Sequence, residues 1–326
     1  MGLTGRALAV DAGNSKTDVA LVAADGAVLG TARGGGFRPP AVGTGPAVDV
    51  LAPLVRSVLA GAGHTGPVDH LSAFLANADL PVEEAALTAE IAGRGWARAV
   101  HVRNDTFALL RAGLPDDGER VGVAVVCGAG INCAGTGRAG ATARFPALGR
   151  LSGDWGGGAF LADEALWCAA RAEDGRGAPT GLATALPAHF GLTTMAELTE
   201  ALHLRTLPGH RRHELTPLLF AVAESGDAVA RALVARQAEE IALLAGVALD
   251  RLGLLGAPVP VVLGGGVLAA RHPLLDDRVT RLLAERAPGA RPQVVTAPPV
   301  LGAALDALDR AGAEPGAYGR LRAAWE

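Results

Sequence analysis

Lysine and aromatic residues are scarce in this sequence of 326 residues. Lys16 is the only lysine, and every other basic side chain belongs to arginine or histidine. Aromatic residues make up 4% of the chain, so valine, leucine and alanine must fill the core. A single lysine beside an acidic turn indicates a compact point charge aimed at a phosphoryl group.

The sequence also lacks the signals of several protein classes. Three cysteines (Cys127, Cys133 and Cys168) form no disulfide framework and no CxxC pair, which favours a reduced, cytoplasmic protein. No secretion signal opens the chain, and no run of about 18 apolar residues is free of charges and breakers, so we expect no membrane span. A net charge of −4 without a basic, aromatic-rich segment argues against nucleic acid as a partner.

The chain contains many short, regular runs of apolar residues. Half of its residues are hydrophobic, which is ample for a core, and its length suggests about two domains. Alternating strand and helix patterns predict an α/β fold, with a polar turn at 114–120 as a candidate boundary. A mainly helical pattern extends from 179 to 252.

The first strand–turn–strand segment contains residues suited to binding phosphate and a metal ion. An apolar strand runs into Asp11, the chain turns through Gly13, Asn14 and Ser15, and a second strand follows. Small residues at such a turn let backbone N–H groups approach a phosphate, and Asp11 suits Mg²⁺, bound directly or through water. The alternative is an ordinary β-hairpin with an asparagine in its turn.

A second acidic group follows a later strand. The strand predicted at 99–102 delivers Asn104 and Asp105 directly before a helix predicted over 106–112. Open α/β sheets place active groups at the carboxyl ends of their strands. The alternative is that Asp105 only caps the helix.

Glycine clusters recur in the second half of the chain. A strand at 121–127 ends in the turn formed by residues 128–130, which repeats the opening pattern and suggests two similar half-folds facing one nucleotide. Asp154 lies in a glycine-rich segment before a helix, and a strand at 258–263 ends in three glycines. Glycine at these junctions permits the close approach of a ligand, although a tight turn without a ligand has the same pattern.

The order of these motifs resembles the actin/hexokinase/sugar-kinase ATPase superfamily. Within it, the chain most resembles the BadF/BadG/BcrA/BcrD-type ATPase family, which includes N-acetylglucosamine kinases. Residues 11–17 (DAGNSKT) resemble that family's D-G-G-x-T-K-T, residues 127–132 (CGAGIN) its S-G-T-G-S-N, and residues 153–158 (GDWGGG) its G-D-E-G-S-G. Residues 264–266 match its adenosine motif, and the resemblance covers essentially the whole chain.

The resemblance implies an α/β fold of two ribonuclease-H-like (actin-like ATPase) lobes with a nucleotide and sugar cleft between them. The N-terminal lobe would span 1–118, with a C-terminal helix near 311–326 packing back on it. The larger C-terminal lobe would span 119–310 and contain a helical insertion at 175–252. Relatives are commonly dimers, so the resemblance also implies a homodimer.

The resemblance also implies a role for each matching residue. Asp105 would be the catalytic base that takes a proton from a sugar hydroxyl as it attacks the γ-phosphate of ATP, and Asp11 would organise Mg²⁺. The ATP phosphates would be bound by Gly13, Asn14, Ser15, Lys16, Thr17, Gly128, Ala129 and Gly130. The adenosine would be bound by Gly264, Gly265, Gly266 and Val267. The sugar would be bound by Arg38, Asn104, Asn132, Asp154 and Trp155.

Two positions depart from the family pattern. Trp155 stands where the family usually has glutamate, and its ring either stacks on a sugar face or fills the core. Phe37 and Arg38 occupy a loop that in many relatives carries a small residue and then asparagine for the sugar. Arg38 suits an anionic group on the substrate.

We therefore expect a cytoplasmic kinase that uses ATP and Mg²⁺ to phosphorylate an amino sugar, with N-acetylglucosamine or glucosamine as first candidates. Two alternatives stay open. One is an ATPase activator of a dehydratase, because Cys133 and the residues after it superficially resemble the iron–sulfur cluster loop of such redox proteins. The other is a sensor that binds a sugar or nucleotide without turnover.

Overall fold

The computed structural model describes residues 5–325. Residues 1–4 and 326, which the predicted lobe boundaries include, lie outside the described residues. Strands and helices alternate along this part of the chain. The strands are β1 (Arg6–Ala12), β2 (Thr17–Ala23), β3 (Val28–Gly34), β4 (Val68–Leu75), β5 (Ala97–Asn104), β6 (Gly122–Cys127), β7 (Ile131–Thr136), β8 (Thr142–Arg144), β9 (Pro260–Gly264) and β10 (Arg291–Val294).

Most helices lie between these strands, with a long run between β8 and β9, and the last two follow β10. The helices are α1 (Pro39–Val42), α2 (Thr44–Asp49), α3 (Leu51–Gly61), α4 (Pro81–Gly93), α5 (Thr106–Gly113), α6 (Gly158–Glu173), α7 (Leu182–His189), α8 (Met195–His203), α9 (Leu215–Glu224), α10 (Ala228–Arg251), α11 (Gly266–Ala269), α12 (Pro273–Arg286), α13 (Pro299–Ala311) and α14 (Pro315–Ala323). Short 3₁₀ turns occur at Arg138–Gly140, Gly149–Ser152 and Gly209–Glu214.

The first sheet brings three strand ends to one edge. Its strand order is β3-β2-β1-β4-β5. Strands β1, β4 and β5 run parallel, with Asp11 opposite Phe74 and Leu75 opposite Asn104. Because parallel strands end at the same edge, the carboxylate at the end of β1 and the one that follows β5 are placed on the same side of the sheet.

The second sheet has the strand order β10-β9-β6-β7-β8. Strands β9 and β10 are parallel, whereas β7 and β8 are antiparallel. With helices around both five-stranded sheets, the fold is the mixed α/β class that the sequence predicts. Strand β8 was not predicted, because three residues (Thr-Ala-Arg) are too few to show an alternating pattern.

One predicted helix is two helices in the structure. A continuous apolar face predicts a single helix at about 46–59, but α2 ends at Asp49 and α3 begins at Leu51. The break has a local cause, because Pro53 has no amide hydrogen to donate to the carbonyl of Asp49. The loop predicted at 34–43 also contains the short helix α1.

The chain forms two compact units. Unit 1 comprises the described residues up to Ala124, Ala134–Pro146, and the described residues from Val295 onward. Unit 2 comprises Val125–Cys133 and Ala147–Val294. Helix α13 packs on β1 and α5, so the chain returns to unit 1 before residue 311. The functional lobe boundaries stay a prediction.

Each unit has an apolar core of its own. In unit 1, β1, β2 and β4 pack against α2 and α3 through fully buried residues such as Leu8, Leu21 and Val55. In unit 2 the buried face of α10 includes Ile241 and Leu249. Among residues 5–325, every helix is too short or too polar to cross a membrane.

Candidate active site

Two carboxylates flank the edge where the strands of unit 1 end. Asp11 is the second-to-last residue of β1, and Asp105 directly follows β5. The amide of Ala76 donates to the carbonyl of Ala12 (2.8 Å), and the amide of Asp105 donates to the carbonyl of Leu75 (3.3 Å). These bonds continue the parallel ladder beyond the strand ends and fix the backbone at both acids.

Burial makes both carboxyl groups weak acids. Burial, together with the negative charges of Asp105 and Asp18, raises the pKa of Asp11 from 3.8 to about 8, although the Lys16 charge opposes this rise. Burial also raises the pKa of Asp105 to about 6, against hydrogen bonds from backbone amides that lower it. A carboxylate with a pKa near 6 is ionised at neutral pH and still basic enough to accept a proton during a reaction.

A third carboxylate, which sequence reasoning missed, holds the single lysine. Asp18 is 7% exposed and lies opposite Asp11 in the ladder between β1 and β2. It accepts two hydrogen bonds from Arg33, at 2.6 and 3.1 Å, and the Nζ atom of Lys16 is 3.5 Å from Oδ2 of Asp18. Asp18 thus orients Lys16 beside the turn.

The turn between β1 and β2 has the properties of an anion site. The amide of Gly13 donates to the carbonyl of Lys16 (2.8 Å), which closes the turn. Asn14 and Ser15 are exposed, and within residues 5–325 their amides donate to no acceptor. The hydroxyl of Thr17 is buried without a hydrogen-bond partner among the described residues. The turn therefore offers unused donors on a rigid frame.

The segment after β3 supports this turn from the side. The amide of Phe37 donates to the carbonyl of Gly13 (2.9 Å), and Nε of Arg38 donates to the carbonyl of Asn14 (2.7 Å). The Phe37 side chain is fully buried in the core of unit 1, so it is a packing residue. Arg38 is exposed beside the turn.

Asn104 is held by partners within unit 1. Its Nδ2 donates to Asp79 (2.7 Å), its Oδ1 accepts from the amide of Thr106 (3.0 Å), and its own amide donates to Glu84 (3.1 Å). Arg144 of β8 binds the same Glu84 (2.8 Å) and the carbonyl of Asp79 (2.7 Å). Sequence reasoning proposed Asn104 but missed Asp79, Glu84 and Arg144, which fix the backbone before Asp105.

In unit 2, the second glycine turn packs against the start of α6. The amide of Gly128 donates to the carbonyl of Gly130 (2.9 Å), which closes the turn. The first amide of α6, from Gly158, donates to the carbonyl of Gly128 (2.7 Å), and that of Ala159 donates to Ala129 (3.0 Å). Within residues 5–325 the amides of Ala129 and Gly130 donate to no acceptor, so this turn also offers unused donors.

Two further glycines are required by this packing. Gly157 has φ +89°, and a Cβ there would lie 2.6 Å from the carbonyl oxygen of Ala129. Gly265 has φ +88°, and a Cβ there would lie 2.8 Å from the amide nitrogen of Gly128. Both φ values are unfavourable for side-chain-bearing residues. Three motifs that are far apart in the sequence therefore meet at one turn.

A buried glutamine of α10 also supports the turn. Oε1 of Gln237 accepts a hydrogen bond from the amide of Gly157 (2.9 Å), and Gln237 is completely buried. The hydroxyl of Thr216 donates to the carbonyl of Gly158 (2.7 Å). Sequence reasoning missed both residues, although Gln237 lies four residues from Leu233 and Ile241 on the apolar face of the helix. A polar residue on such a face was the available signal.

Three other proposed residues of unit 2 differ in exposure and in their contacts. Asp154 is half-buried and accepts a hydrogen bond from Ser152 (2.6 Å). Oδ1 of Asn132 accepts from the amide of Cys133 (2.7 Å). Trp155 is only 6% exposed, with Phe160 against its ring (5.1 Å between centroids) and Arg236 over it (4.3 Å). Its surroundings resemble those of a core residue.

The family model for the BadF/BadG/BcrA/BcrD ATPase family matches residues 8–307. This match includes all four glycine motifs and both carboxylates, in order. The chain belongs to the BadF/BadG/BcrA/BcrD ATPase family. The family predicted from the sequence motifs is thereby confirmed.

Relatives of this family member include named sugar kinases. An N-acetyl-D-glucosamine kinase of Dictyostelium discoideum is 29% identical over 222 residues, which is 68% of each chain. An N-acetylmuramic acid/N-acetylglucosamine kinase of Clostridium acetobutylicum is 24% identical over 275 residues, covering 83% of this chain and 88% of the relative.

A crystal structure of a candidate N-acetylglucosamine kinase from Chromobacterium violaceum has the same fold. Its TM-score is 0.71 at 22% identity, and the match covers 92% of this chain and 98% of that one. The likeness confirms the actin-like α/β fold predicted from the sequence.

The residues of this BadF-type ATPase fit the ligands that the family implies. The two turns with unused amides suit phosphate oxygens. Among residues 5–325, no three side chains of histidine, cysteine, aspartate or glutamate are grouped to hold a metal ion alone. Mg²⁺ is commonly bound by one or two carboxylates together with waters and phosphate oxygens, and the concentration of negative charge around Asp11 fits that mode.

Proposed function

We propose that this protein is an ATP-dependent phosphotransferase that phosphorylates a hydroxyl group of an amino sugar, with N-acetylglucosamine or glucosamine as the first candidates. The observation that carries the proposal is the position of Asp105, a half-buried acid between β5 and α5 of unit 1, where desolvation raises its pKa to about 6. The names of the relatives support the substrate class, and the family supports the use of ATP.

Asp105 is proposed to act as the general base. Above pH 6 it is ionised and accepts the proton of the sugar hydroxyl, whose oxygen attacks the γ-phosphorus atom as the bond to the bridging oxygen of ADP breaks. The proton ends on Asp105 and the leaving charge on ADP. The bonds that fix Asn104 and the amide of Asp105 keep this carboxylate in one position.

The other groups of unit 1 are proposed to act on phosphate charge. Mg²⁺, when bound, neutralises charge on the phosphate oxygens, and Asp11 is the residue that would hold it. Lys16, oriented by Asp18, supplies a positive charge beside the turn that carries Asn14 and Ser15. Phosphoryl transfer depends mainly on such positioning and charge stabilisation.

Unit 2 is proposed to bind the nucleotide. Amides of the turn at Gly128, Ala129 and Gly130 would hold phosphate oxygens, and residues 264–267 would line the adenosine site. Asp154 and Asn132 would bind sugar hydroxyls or the acetamido group. The proposal gives Trp155 a supporting role, because its ring is enclosed by Phe160 and Arg236.

Coupled release of ADP tests the proposed function. The purified protein is incubated with Mg·ATP and a panel of N-acetylglucosamine, glucosamine, N-acetylmannosamine, glucose and N-acetylmuramic acid. We expect turnover on one or two amino sugars. A preference for N-acetylmuramic acid that is lost in Arg38→Met would assign Arg38 to the anionic group. No turnover on any sugar, with ATP still bound, would contradict the kinase proposal and favour a sensor.

The redox alternative receives no support from the cysteine that suggested it. Cys133 is buried in β7, its thiol donates to the carbonyl of Leu244 (3.6 Å), and burial raises its pKa far above the usual range. Ligation of iron requires an accessible thiolate. The proposal also keeps a homodimer and a cytoplasmic location, and size-exclusion chromatography with light scattering tests the dimer.

A further inference from the structure

A small cavity in unit 1 collects three guanidinium groups beside the segment that carries Asp105. Its volume is about 130 Å³, and its charged lining residues are Arg103, Arg111, Arg120, Asp306 and Asp309. Arg103 lies two residues before Asp105 on β5, and Phe107 of α5 also lines the cavity. The cavity walls therefore include one residue that precedes the proposed catalytic base in the sequence and one that follows it. The proposed function uses none of these arginines.

Arg103 is a half-buried cation that forms no hydrogen bond or ion pair with the described part of the protein. Its guanidinium carbon lies 3.3 Å from the centroid of the Phe107 ring, which covers one face. Within residues 5–325 no hydrogen bond or ion pair joins the Arg103 side chain to an acceptor. Burial lowers the pKa of Arg103 from 12.5 to about 10, so the group keeps its charge at neutral pH. A buried charge without a hydrogen-bonded partner is costly.

The nearby carboxylates are occupied by other cations. Asp309 binds Nε of Arg111 at 2.6 Å and Nη2 of Arg120 at 2.7 Å. Asp306 accepts hydrogen bonds from Arg310 (2.8 Å) and Ser72 (2.7 Å). The Nε atom of Arg120 is buried and has no partner among the described residues. Unused N–H donors therefore remain on two arginines of the cavity wall.

The donors of the cavity wall and the volume of the cavity indicate the class of ligand. Three arginines and two aspartates line the cavity, and Asp116 pairs with Arg111 at 3.0 Å from outside the lining. The unused N–H donors of Arg103 and Arg120 favour an anion over a cation. A space of about 130 Å³ is large enough for a few waters or one tetrahedral oxyanion.

We propose that this cavity binds a single small oxyanion of the phosphate or sulfate class, held mainly by Arg103 and Arg120. Planar guanidinium groups match the oxygen geometry of such anions. Asp306 and Glu84 act on the charge of Arg103 without contacting it, and the bound anion adds a direct partner that joins the end of β5 to the start of α5. Anion binding therefore stabilises the segment that carries Asp105. This inference does not depend on the proposed sugar kinase activity.

Titration calorimetry with sodium sulfate and with inorganic phosphate tests the site, together with thermal unfolding at each anion concentration. The test variant is Arg103→Met, which keeps an unbranched apolar chain against Phe107. The matched control is Arg98→Met on the same strand, because Arg98 is exposed and, among residues 5–325, pairs only with Asp69 at the surface (3.4 Å). All variants are also made in a Lys16→Met background, which weakens the competing anion site at the β1–β2 turn.

In the Lys16→Met background, we expect Arg98→Met to bind one sulfate as Lys16→Met alone does, and Arg103→Met to bind it at least about tenfold more weakly, because a charge-assisted hydrogen bond contributes about 1.5–3 kcal/mol. In anion-free buffer, Arg103→Met should unfold at the wild-type temperature or above it, because the substitution removes a partly desolvated charge that has no hydrogen-bonded partner. Sulfate should then raise the unfolding temperature of the wild type more than that of Arg103→Met.

Three results would overturn the proposal. The first is sulfate binding that persists in Arg103→Met and disappears in Lys16→Met. The second is an absence of saturable binding to the wild type. The third is an Arg103→Met protein that is less stable by the same amount with and without anion, which assigns Arg103 to packing alone. If Arg103→Met does not fold, Arg103→Lys replaces it and should weaken sulfate binding without abolishing it.

Discussion

The two units contribute different chemical groups to the candidate site. In unit 1 the chemistry lies in charged side chains, with Asp11 and Asp105 at strand ends and Asp18 between Lys16 and Arg33. In unit 2 it lies in the backbone of one turn, where glycines permit atomic contact with two other segments. Both turns offer unused amides, but only unit 1 surrounds its turn with charge.

This difference predicts two kinds of sensitivity. A neutral substitute of the same shape in unit 1 changes charge and proton transfer while the backbone stays in place. In unit 2 a single added methyl group displaces the turn itself, because the interior is close-packed. Turnover should therefore be separable from nucleotide binding in unit 1, and not in unit 2.

The largest effect is expected for Asp105→Asn. General base catalysis contributes about 10²–10⁴-fold, so turnover with Mg·ATP and the active sugar should fall by roughly that factor. ATP affinity, measured by calorimetry, should stay within about threefold, because the substitution keeps the shape of the side chain. Asp117→Asn, in an exposed turn, is the control and should be fully active. An active Asp105→Asn protein would remove Asp105 from the role of base.

Gly157→Ala should have the next largest effect, on binding. The methyl group would meet the carbonyl of Ala129, so the turn must move, and ATP affinity should fall about tenfold or more along with turnover. Gly175→Ala is a matched control, because Gly175 has a similar φ of +81° with no atom within 4 Å of its Cβ position. Equal losses in the two variants would show that backbone strain, and not the contact with the turn, is responsible.

A smaller effect is expected for Asp18→Asn. The variant keeps a hydrogen-bonding side chain beside Arg33 and Lys16 but removes the charge that orients the lysine. We expect kcat to fall about tenfold with a modest rise in KM for ATP, because an ammonium group that acts on phosphate charge becomes less well positioned. Unchanged kinetics would show that Asp18 serves only the fold. Asp25→Asn, in the exposed β2–β3 turn, controls for general loss of charge.

The smallest effect is on stability, and it has a defined sign. The pKa of Asp105 is raised to about 6 in the folded protein, so the folded state holds its proton more tightly than the unfolded state does. The stability that protonated Asp105 contributes is therefore lost as the pH rises from about 4 to about 6. The resulting penalty to the free energy of unfolding is complete above pH 6.

Asp105→Asn removes this penalty and should stabilise the ligand-free protein by about 1–3 kcal/mol at pH 8 and by little at pH 4. Because the Asp105 charge also raises the pKa of Asp11, the substitution relieves part of that penalty as well. Urea unfolding in the presence of a chelator measures both values. A variant destabilised equally at both pH values would contradict the predicted sign of the stability change.

The sequence predicted those parts of the site that are local in the chain. Asp11 with its turn, Asp105 after β5, and the glycine clusters each occupy a few consecutive residues, so their chemistry and their secondary structure are visible together. The order of these motifs also predicted the fold. Asp18 had a readable signal, since an acid in an apolar strand pattern needs a partner.

The rest depends on contacts between distant residues, which periodicity does not encode. Arg144 binds Glu84, 60 positions earlier, and Gln237 binds the amide of Gly157, 80 positions earlier. Phe37, which stands where many relatives carry a small residue, is buried because its loop folds back on the turn at Gly13. Which way a loop residue points depends on its neighbours in three dimensions.

The pH dependence of kcat, with Mg·ATP and the sugar that gives turnover, tests the central claim most directly. If Asp105 is a buried general base, kcat should rise with pH along a limb with an apparent pKa near 6 and then reach a plateau. The residual turnover of Asp105→Asn should lack this limb. A kcat that is constant down to pH 5, or a limb that persists in Asp105→Asn, would contradict the account.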